Sequence, residues 1–432
     1  MKKVGIVSLG CHKNLVDSEN ILGLFDRNEY VATNNPEEAD IIVINTCGFI
    51  ESSKKESIET IFSMLSYNKK IIVTGCLAER YLDALKEEMP EVDAFIPIRE
   101  YPNFNKHLYE LDNSVNPSLG VDDNYRIVST GPFSAYLKIG EGCDNCCTYC
   151  AIPLIRGHFK SRDMNAIIDE ANDLVKSGIK ELVILEQDTT KYGIDIPDKN
   201  VNIVNLLKEL LKIEGIEYIR LLYLYPDEIT DDLINLIAKE SRLTPYFDIP
   251  IQHSENHILK DMHRRGDKEF LRNLFRIIRE KVPNAILRTT VMVGFPGETE
   301  KDVDNLIEFM KEIEFDHLGS FAYSREEDTP AFNFPNQVDE DVKQARLDKV
   351  MKTQQKISYH LNKNHIGEVM EGLVIGKDKD TYLFRSYWNA PDDVDGKIYV
   401  NSDTPLNIGD KIKVKITDAF VYDLMGDYVH ED

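Results

Sequence analysis

The chain has 432 residues, 42% hydrophobic and 29% charged, which excludes collagen-like, mucin-like and wholly disordered sequences and leaves room for about three domains. It carries 51 Lys and Arg against 75 Asp and Glu, a formal net charge of −24, so it repels phosphate backbones and suits a basic partner. The first nine residues lack the apolar core and cleavage site of a signal peptide, and no run approaches about 18 consecutive apolar residues. A cytoplasmic protein with no membrane partner is therefore expected. In a reducing compartment its seven cysteines point to metal ligands or redox groups before disulfides.

Residues 1 to about 100 alternate short β-branched runs (4–9, 41–44, 71–73) with stretches of helical spacing (17–25, 53–65, 78–88). Such alternation predicts a parallel sheet with crossover helices. Residues 101–130, rich in Pro, Asn and Gly, read as a linker. A second alternating series follows. Strands are expected at 134–139, 181–185, 218–223, 246–249, 286–293 and 317–321, with helices at 165–176, 203–212, 268–281 and 300–313. Six such units fit a full or partial barrel with its chemistry at the carboxyl ends of the strands. Residues 342–362 read as one long polar connecting helix. Five short strands (368–375, 381–385, 397–400, 411–416, 420–425) then predict a small antiparallel barrel.

The cysteines fall into two sets. Cys11, Cys47 and Cys76 each lie just after a predicted strand, with glycine adjacent (Gly10, Gly48, Gly75). Strands of a parallel sheet end on one edge, so three loops leaving it can gather three thiolates. Three unrelated loop cysteines is the competing reading. Cys143, Cys146, Cys147 and Cys150 are packed into eight residues, after a strand and the turn Gly140-Glu141-Gly142. Taking Cys143, Cys147 and Cys150 gives a three-then-two spacing. Three thiolates bind three irons of a cubane cluster and leave the fourth open. Cys146, next to Cys147, is read as a bystander. A zinc site completed by His158 stays open at this point.

The string Glu141-Gly142-Cys143 … Cys147-Thr148-Tyr149-Cys150-Ala151-Ile152-Pro153 … Arg156-Gly157 resembles the radical S-adenosylmethionine (SAM) enzymes, and within them the methylthiotransferase family. The resemblance covers essentially the whole chain. It implies an α/β chain with three parts: an N-terminal parallel-sheet domain at 1–118, a partial TIM-type (βα) radical SAM barrel at 129–363, and a small OB-like antiparallel barrel, the TRAM domain, at 366–432. It implies two 4Fe-4S clusters, one on Cys143, Cys147 and Cys150 and an auxiliary one on Cys11, Cys47 and Cys76. The first cluster chelates SAM and cleaves it to a radical that takes hydrogen from an unactivated carbon. The second carries the sulfur that attacks that carbon, and a second SAM supplies the methyl group.

Tyr149, Gln187, Arg288, Gly294, Gly297 and Glu298 are candidates to contact SAM. Gln187 lies in a loop after the second barrel strand, and Gly294-Phe295-Pro296-Gly297-Glu298 follows the fifth. The two glycines would let backbone approach an adenosine closely; an ordinary strand-to-helix turn explains them equally well. Arg288 would pair with the cofactor carboxylate or, as readily, form a structural salt bridge. His253 is read as a packed histidine with no proton-transfer role.

Ser8-Leu9-Gly10-Cys11-His12-Lys13-Asn14-Leu15-Val16-Asp17-Ser18-Glu19, Gln187-Asp188-Thr189-Thr190-Lys191-Tyr192-Gly193 and Ala390-Pro391-Asp392-Asp393-Val394-Asp395-Gly396 resemble the branch that modifies an aspartate β-carbon of small-subunit ribosomal protein S-twelve. That branch usually has proline where His12 stands. The implied partners are this basic protein and an electron donor such as flavodoxin or ferredoxin. From residue 366 onward 14 acidic residues face 7 basic ones, which argues against nucleic acid as a partner, although Tyr387 and Trp388 offer stacking surfaces. Modification of a transfer RNA adenosine, and a two-cluster electron-transfer protein, are the alternatives.

Overall fold

A computed structural model describes residues 1–25, 28–121, 126–391 and 394–430. The chain divides into two compact units whose borders cross the sequence divisions. The first holds residues 1–131, 136–170 and 326–329. Its sheet has the order β2-β1-β3-β4-β5, built from β1 (Lys2–Ser8), β2 (Tyr30–Ala32), β3 (Ile41–Thr46), β4 (Lys70–Gly75) and β5 (Ala94–Pro97), all parallel. Every residue of β3 is buried, as a central strand covered on both faces requires. Ser8 pairs with Asn45, and Thr46 with Gly75, so β1, β3 and β4 end level on one edge.

The crossover helices are α1 (His12–Gly23), α2 (Glu51–Leu65), α3 (Cys76–Arg80), α4 (Leu82–Glu88) and α5 (Phe104–Leu111). Two differ from expectation. The helix expected at 17–25 starts at His12, directly after Cys11, and the one expected at 78–88 is broken at Tyr81. Residues 101–121 are not a linker. Tyr101, Phe104 and Leu108 are core residues of the sheet domain, and Leu119, Val121 and Ile127 pack against the same core. Turn chemistry is confined to 112–118, where Asp112 accepts hydrogen bonds from Lys2 Nζ (2.6 Å) and Ser114 Oγ (2.7 Å).

The same unit takes in most of β6 (Ser134–Lys138), then β7 (Gly140–Glu141), α6 (Ile152–Arg156), β8 (Lys160–Ser161) and the start of α7 (Met164–Lys176). Buried Arg126 pairs with Glu19 at 2.5 Å and Glu170 at 3.0 Å, tying 126–170 to α1. Glu326, distant in sequence, joins the unit through Arg80 (2.8 Å) and Lys54 (3.1 Å).

The second unit contains β9 (Glu181–Leu185), α8 (Ile203–Leu210), β10 (Tyr218–Leu221), α9 (Asp231–Lys239), β11 (Tyr246–Asp248), α10 (Asn256–Asp261), α11 (Lys268–Lys281), β12 (Ile286–Val293), α12 (Glu300–Ile313), β13 (His317–Ala322) and α13 (Glu340–Asn364). β9 pairs with β10, and β11-β12-β13 form a second parallel sheet, the wall of a partial barrel. The capping box of Thr299 and Asp302 fixes the start of α12. α13 is more than a connector: Val350 and Ile357 are buried, Gln354 donates to Phe315 O (2.7 Å) and Ser358 to Asp316 O (2.9 Å).

The unit ends in a closed barrel of order β14-β15-β16-β18-β17, from β14 (Val369–Asp378), β15 (Thr381–Arg385), β16 (Ile398–Asn401), β17 (Lys411–Ala419) and β18 (Leu424–Val429). In β17, Ile412, Val414 and Ile416 point inward between exposed lysines. Four pairings are antiparallel, as expected throughout, but β16 and β18 run parallel. The barrel is fastened to the parallel strands by buried polar groups. Glu181 accepts from Arg385 (2.8 Å) and Arg220 (3.4 Å), Tyr246 Oη donates to Asp395 (2.6 Å), and His317 Nε2 meets Trp388 O (2.8 Å).

Candidate functional site

The level strand ends place Cys11, Cys47 and Cys76 on one edge of the first sheet. Cys11 is the N-cap of α1 and is exposed; Cys47 and Cys76 are buried, and Cys76 opens α3. Close approach of the loops shows in the glycines. A Cβ on Gly10 would lie 2.7 Å from Cys47 Cβ and 2.8 Å from its Sγ, and one on Gly48 would lie 2.8 Å from Leu77 Cα. Burial pushes the Cys76 thiol up to about 11, with Arg156 pulling against it and Cys11 and Cys47 adding to the rise. Cys47 is raised as well, again chiefly by burial. Without a counter-ion these sulfurs stay protonated; iron would supply the positive charge that thiolates need.

The second set lies in the same unit. Its loop closes on itself, with Cys143 N donating to Gly157 O (3.1 Å) and Cys150 N to Cys147 O (3.0 Å). Cys147 is buried and Cys143 and Cys150 half-buried, whereas Cys146 is exposed with φ of 51°. Burial, then Cys147 and Cys143, raise the Cys150 thiol, opposed by the backbone N–H of Ile152 and by Lys13. Tyr149 is half-buried in the turn before Cys150. His158 is almost wholly exposed and paired with Asp144 (2.8 Å). Among the described residues no three His, Cys, Asp or Glu side chains gather as ligands of one ion would. A cubane makes a different demand, since each of its three thiolates holds a different iron and the ligands need not converge on one point.

The two sets adjoin. Cys76 packs in one apolar cluster with Ala151, the residue after Cys150, and with Ile155. Arg156, fully buried, donates to Asp17 Oδ2 (2.7 Å), Glu141 Oε2 (3.1 Å), Asn14 Oδ1 and Cys76 Sγ (3.6 Å). Lys138 also donates to Asp17 (2.6 Å). Burial alone would weaken the charge on Arg156; Glu141, Cys76 and Asp17 outweigh it and keep the group cationic. Sequence reasoning assigned no role to Arg156, Asn14 or Asp17. All three sat within quoted motif strings, which was the available signal.

The remaining candidates lie in the second unit. Gln187 is half-buried just past β9. Arg288 is the third residue of β12, inside the strand as expected. It pairs with Asp248 (2.6 Å) and Asp395 (3.2 Å), the structural salt bridge. Glu298 follows the Gly294–Gly297 turn. Its carboxylate is buried, accepts from Gly294 N (2.8 Å) and Arg346 (2.8 Å), and lies 3.4 Å from His253 Nε2. It braces the 294–297 turn. Gly294 and Gly297 both have positive φ, and a Cβ on Gly297 would meet nothing within 4 Å. His253 is fully buried and its Nδ1 accepts from Glu255 N (3.0 Å). Trp388 is fully buried against His317, which removes it as a stacking platform. Asp392 and Asp393 lie outside the described residues; Asp395 of that stretch accepts from Tyr246, Arg288 and Ala390 N (2.8 Å).

Residues 3–97 match the uncharacterized protein family UPF0004, 137–310 the radical SAM superfamily and 366–429 the TRAM domain. The chain is similar to the ribosomal protein uS12 methylthiotransferase RimO of Clostridioides difficile (strain 630), 48% identical over 444 residues and covering 100% of both chains. It is similar to the enzyme of the same name from Acetivibrio thermocellus, 46% identical, covering 100% of this chain and 99% of that one. Among solved structures it shares its fold with the radical S-adenosylmethionine methyltransferase TsrM from Kitasatospora setae (TM-score 0.55, 12% identity, 89% of this chain and 81% of that one). No helix among the described residues is long and apolar enough to cross a membrane. With full-length identity near one half, the chain belongs to the ribosomal protein uS12 methylthiotransferase family of radical SAM enzymes.

Proposed function

We propose that this chain inserts a methylthio group at the β-carbon of an aspartate of ribosomal protein uS12, using SAM and two 4Fe-4S clusters. Cys143, Cys147 and Cys150 hold one cluster and Cys11, Cys47 and Cys76 the other. When bound, the clusters and SAM supply the radical chemistry and the sulfur; the chain's own residues bind and orient them. The observation that carries the reading is that both cysteine triplets belong to one compact unit, with Cys76 packed on Ala151 beside Cys150. Such adjacency lets carbon activation and sulfur attack act on one substrate atom without its release. Burial of Cys47, Cys76 and Cys147 keeps water from three of the six sulfur ligands.

The turn at Gly294–Gly297, braced by Glu298 and Arg346, and the Gln187 loop are the proposed SAM-contacting segments, with Tyr149 beside the cluster loop. Segments 1–118, 129–363 and 366–432 serve as auxiliary-cluster, radical SAM and substrate-binding parts. The acidic last segment suits a Lys- and Arg-rich ribosomal protein, and the burial of Trp388 argues against RNA stacking. A flavodoxin- or ferredoxin-type donor in the cytoplasm would supply electrons. The test incubates the anaerobically reconstituted enzyme, SAM and a sulfur source with uS12 or transfer RNA, and weighs both. A methylthio mass gain on a uS12 aspartate is expected; a gain on RNA alone would overturn the assignment.

A further inference from the structure

Arg156 is carried by the segment that follows one cysteine triplet, yet it touches a sulfur of the other. Its guanidinium reaches four acceptors: Asp17, Glu141, Asn14 Oδ1 and Cys76 Sγ at 3.6 Å. Only a planar fork of five donors serves so many directions at once. Asn14 cannot offer its amide hydrogens to the sulfur, because Nδ2 donates to Leu9 O (2.8 Å) and Thr46 O (3.0 Å). Its Oδ1 therefore faces Cys76 Sγ at 3.5 Å. A neutral thiol satisfies that oxygen by donating S–H. A thiolate ligand has no hydrogen to give, and two electron-rich atoms would then face each other in a buried site. Arg156, already donating to Asn14 Oδ1, is placed to relieve this by giving an N–H to the sulfur.

We infer that Arg156 is a positioning residue for the auxiliary centre: its cationic N–H donor on Cys76 stabilises the more negative, reduced state and so raises the reduction potential. Hydrogen bonds to cluster sulfurs and local net charge are established determinants of such potentials. The inference rests on the proposed ligand role of Cys76. It also gives a physical link between the centres, since Arg156 ends the helix that begins two residues after Cys150.

The test uses full-length protein with Cys143→Ala/Cys147→Ala/Cys150→Ala, which isolates the auxiliary centre, titrated with dithionite under EPR. Arg156→Met removes the donor and the charge, while Asp17 keeps Lys138 as a partner (2.6 Å). Its reduced-to-oxidised ratio at fixed potential should fall about tenfold, about 59 mV for a one-electron couple. Arg156→Lys keeps a cationic donor and should recover part of the shift; it also serves as the measured variant if the Met protein does not fold. An unchanged potential in the folded variants, with about four irons loaded, overturns the inference and leaves the cluster assignment standing. No iron in the Arg156-containing background protein overturns the cluster assignment, and the inference with it.

Discussion

Adding one methyl group at residue 10 tests whether the first two cysteine loops meet as described. Gly10 has φ of +86°, and an alanine Cβ there would sit 2.7 Å from Cys47 Cβ and 2.8 Å from Cys47 Sγ. Cys47 cannot easily yield. Ser57 Oγ accepts from its N–H (3.0 Å) and donates to its carbonyl (2.8 Å), clamping the residue from both sides. The strained φ costs about 1–3 kcal/mol and the overpacking about 1–3 kcal/mol. Gly10→Ala should therefore lose about 2–6 kcal/mol, and Cys47 should be displaced from its place beside Cys11. Urea unfolding reads the first effect. Iron and sulfide counting after anaerobic reconstitution reads the second, with about four of about eight irons expected to be lost. Gly367→Ala is the control. It shares the positive φ, but its Cβ would meet nothing within 4 Å, so only the strain should appear and iron content should hold. A Gly10→Ala protein with wild-type urea midpoint and full iron content would refute the convergence of these loops.

Two further predictions concern stability. Glu181→Ala would leave buried Arg220 and half-buried Arg385 without their carboxylate, costing about 3–5 kcal/mol; a urea midpoint unchanged from wild type would show that this network does not fasten the C-terminal barrel. At Asp112, burial pushes the carboxyl up, but hydrogen bonds from Lys2 and Ser114 outweigh it and hold it well below the usual carboxylate range. Its stabilising contribution is then fully present above the ordinary aspartate value of about 4 and is lost as pH falls through the depressed value. Asp112→Asn should cost about 0.5–1.5 kcal/mol at pH 7, with the difference from wild type shrinking in acid. A difference that stays constant or grows on acidification in thermal melts would contradict the sign.

Much of the framework follows from local pattern. β9, β12, α11 and α12 fall at the residues their periodicity marks, because each buries one face or both and has a clear start or stop. Elements with weak local signals were missed. β2 has three residues and β5 four. α5 follows Pro102-Asn103, which read as turn chemistry, although its apolar face completes the first core. α13 looked like a solvated connector because its buried face carries Lys343, Arg346, Gln354 and Ser358, whose hydrogen-bond partners come from elsewhere in the fold.

The chain order by itself determined that Cys11, Cys47 and Cys76 each follow a strand; the parallel pairing and register of β1, β3 and β4 then put all three on one sheet edge and removed the reading of three unrelated loop cysteines. The eight-residue cysteine loop was equally legible, because its ligands are local. Only the tertiary structure decided which polar side chains serve which site. Arg288 lies in a strand and pairs across to Asp248 and Asp395, Glu298 turns inward to brace a backbone turn, and Arg156 reaches a sulfur 80 residues away in sequence. Periodicity reports which face of an element is buried; it does not report the partner a charged group finds there, and for a buried charge the partner settles its role.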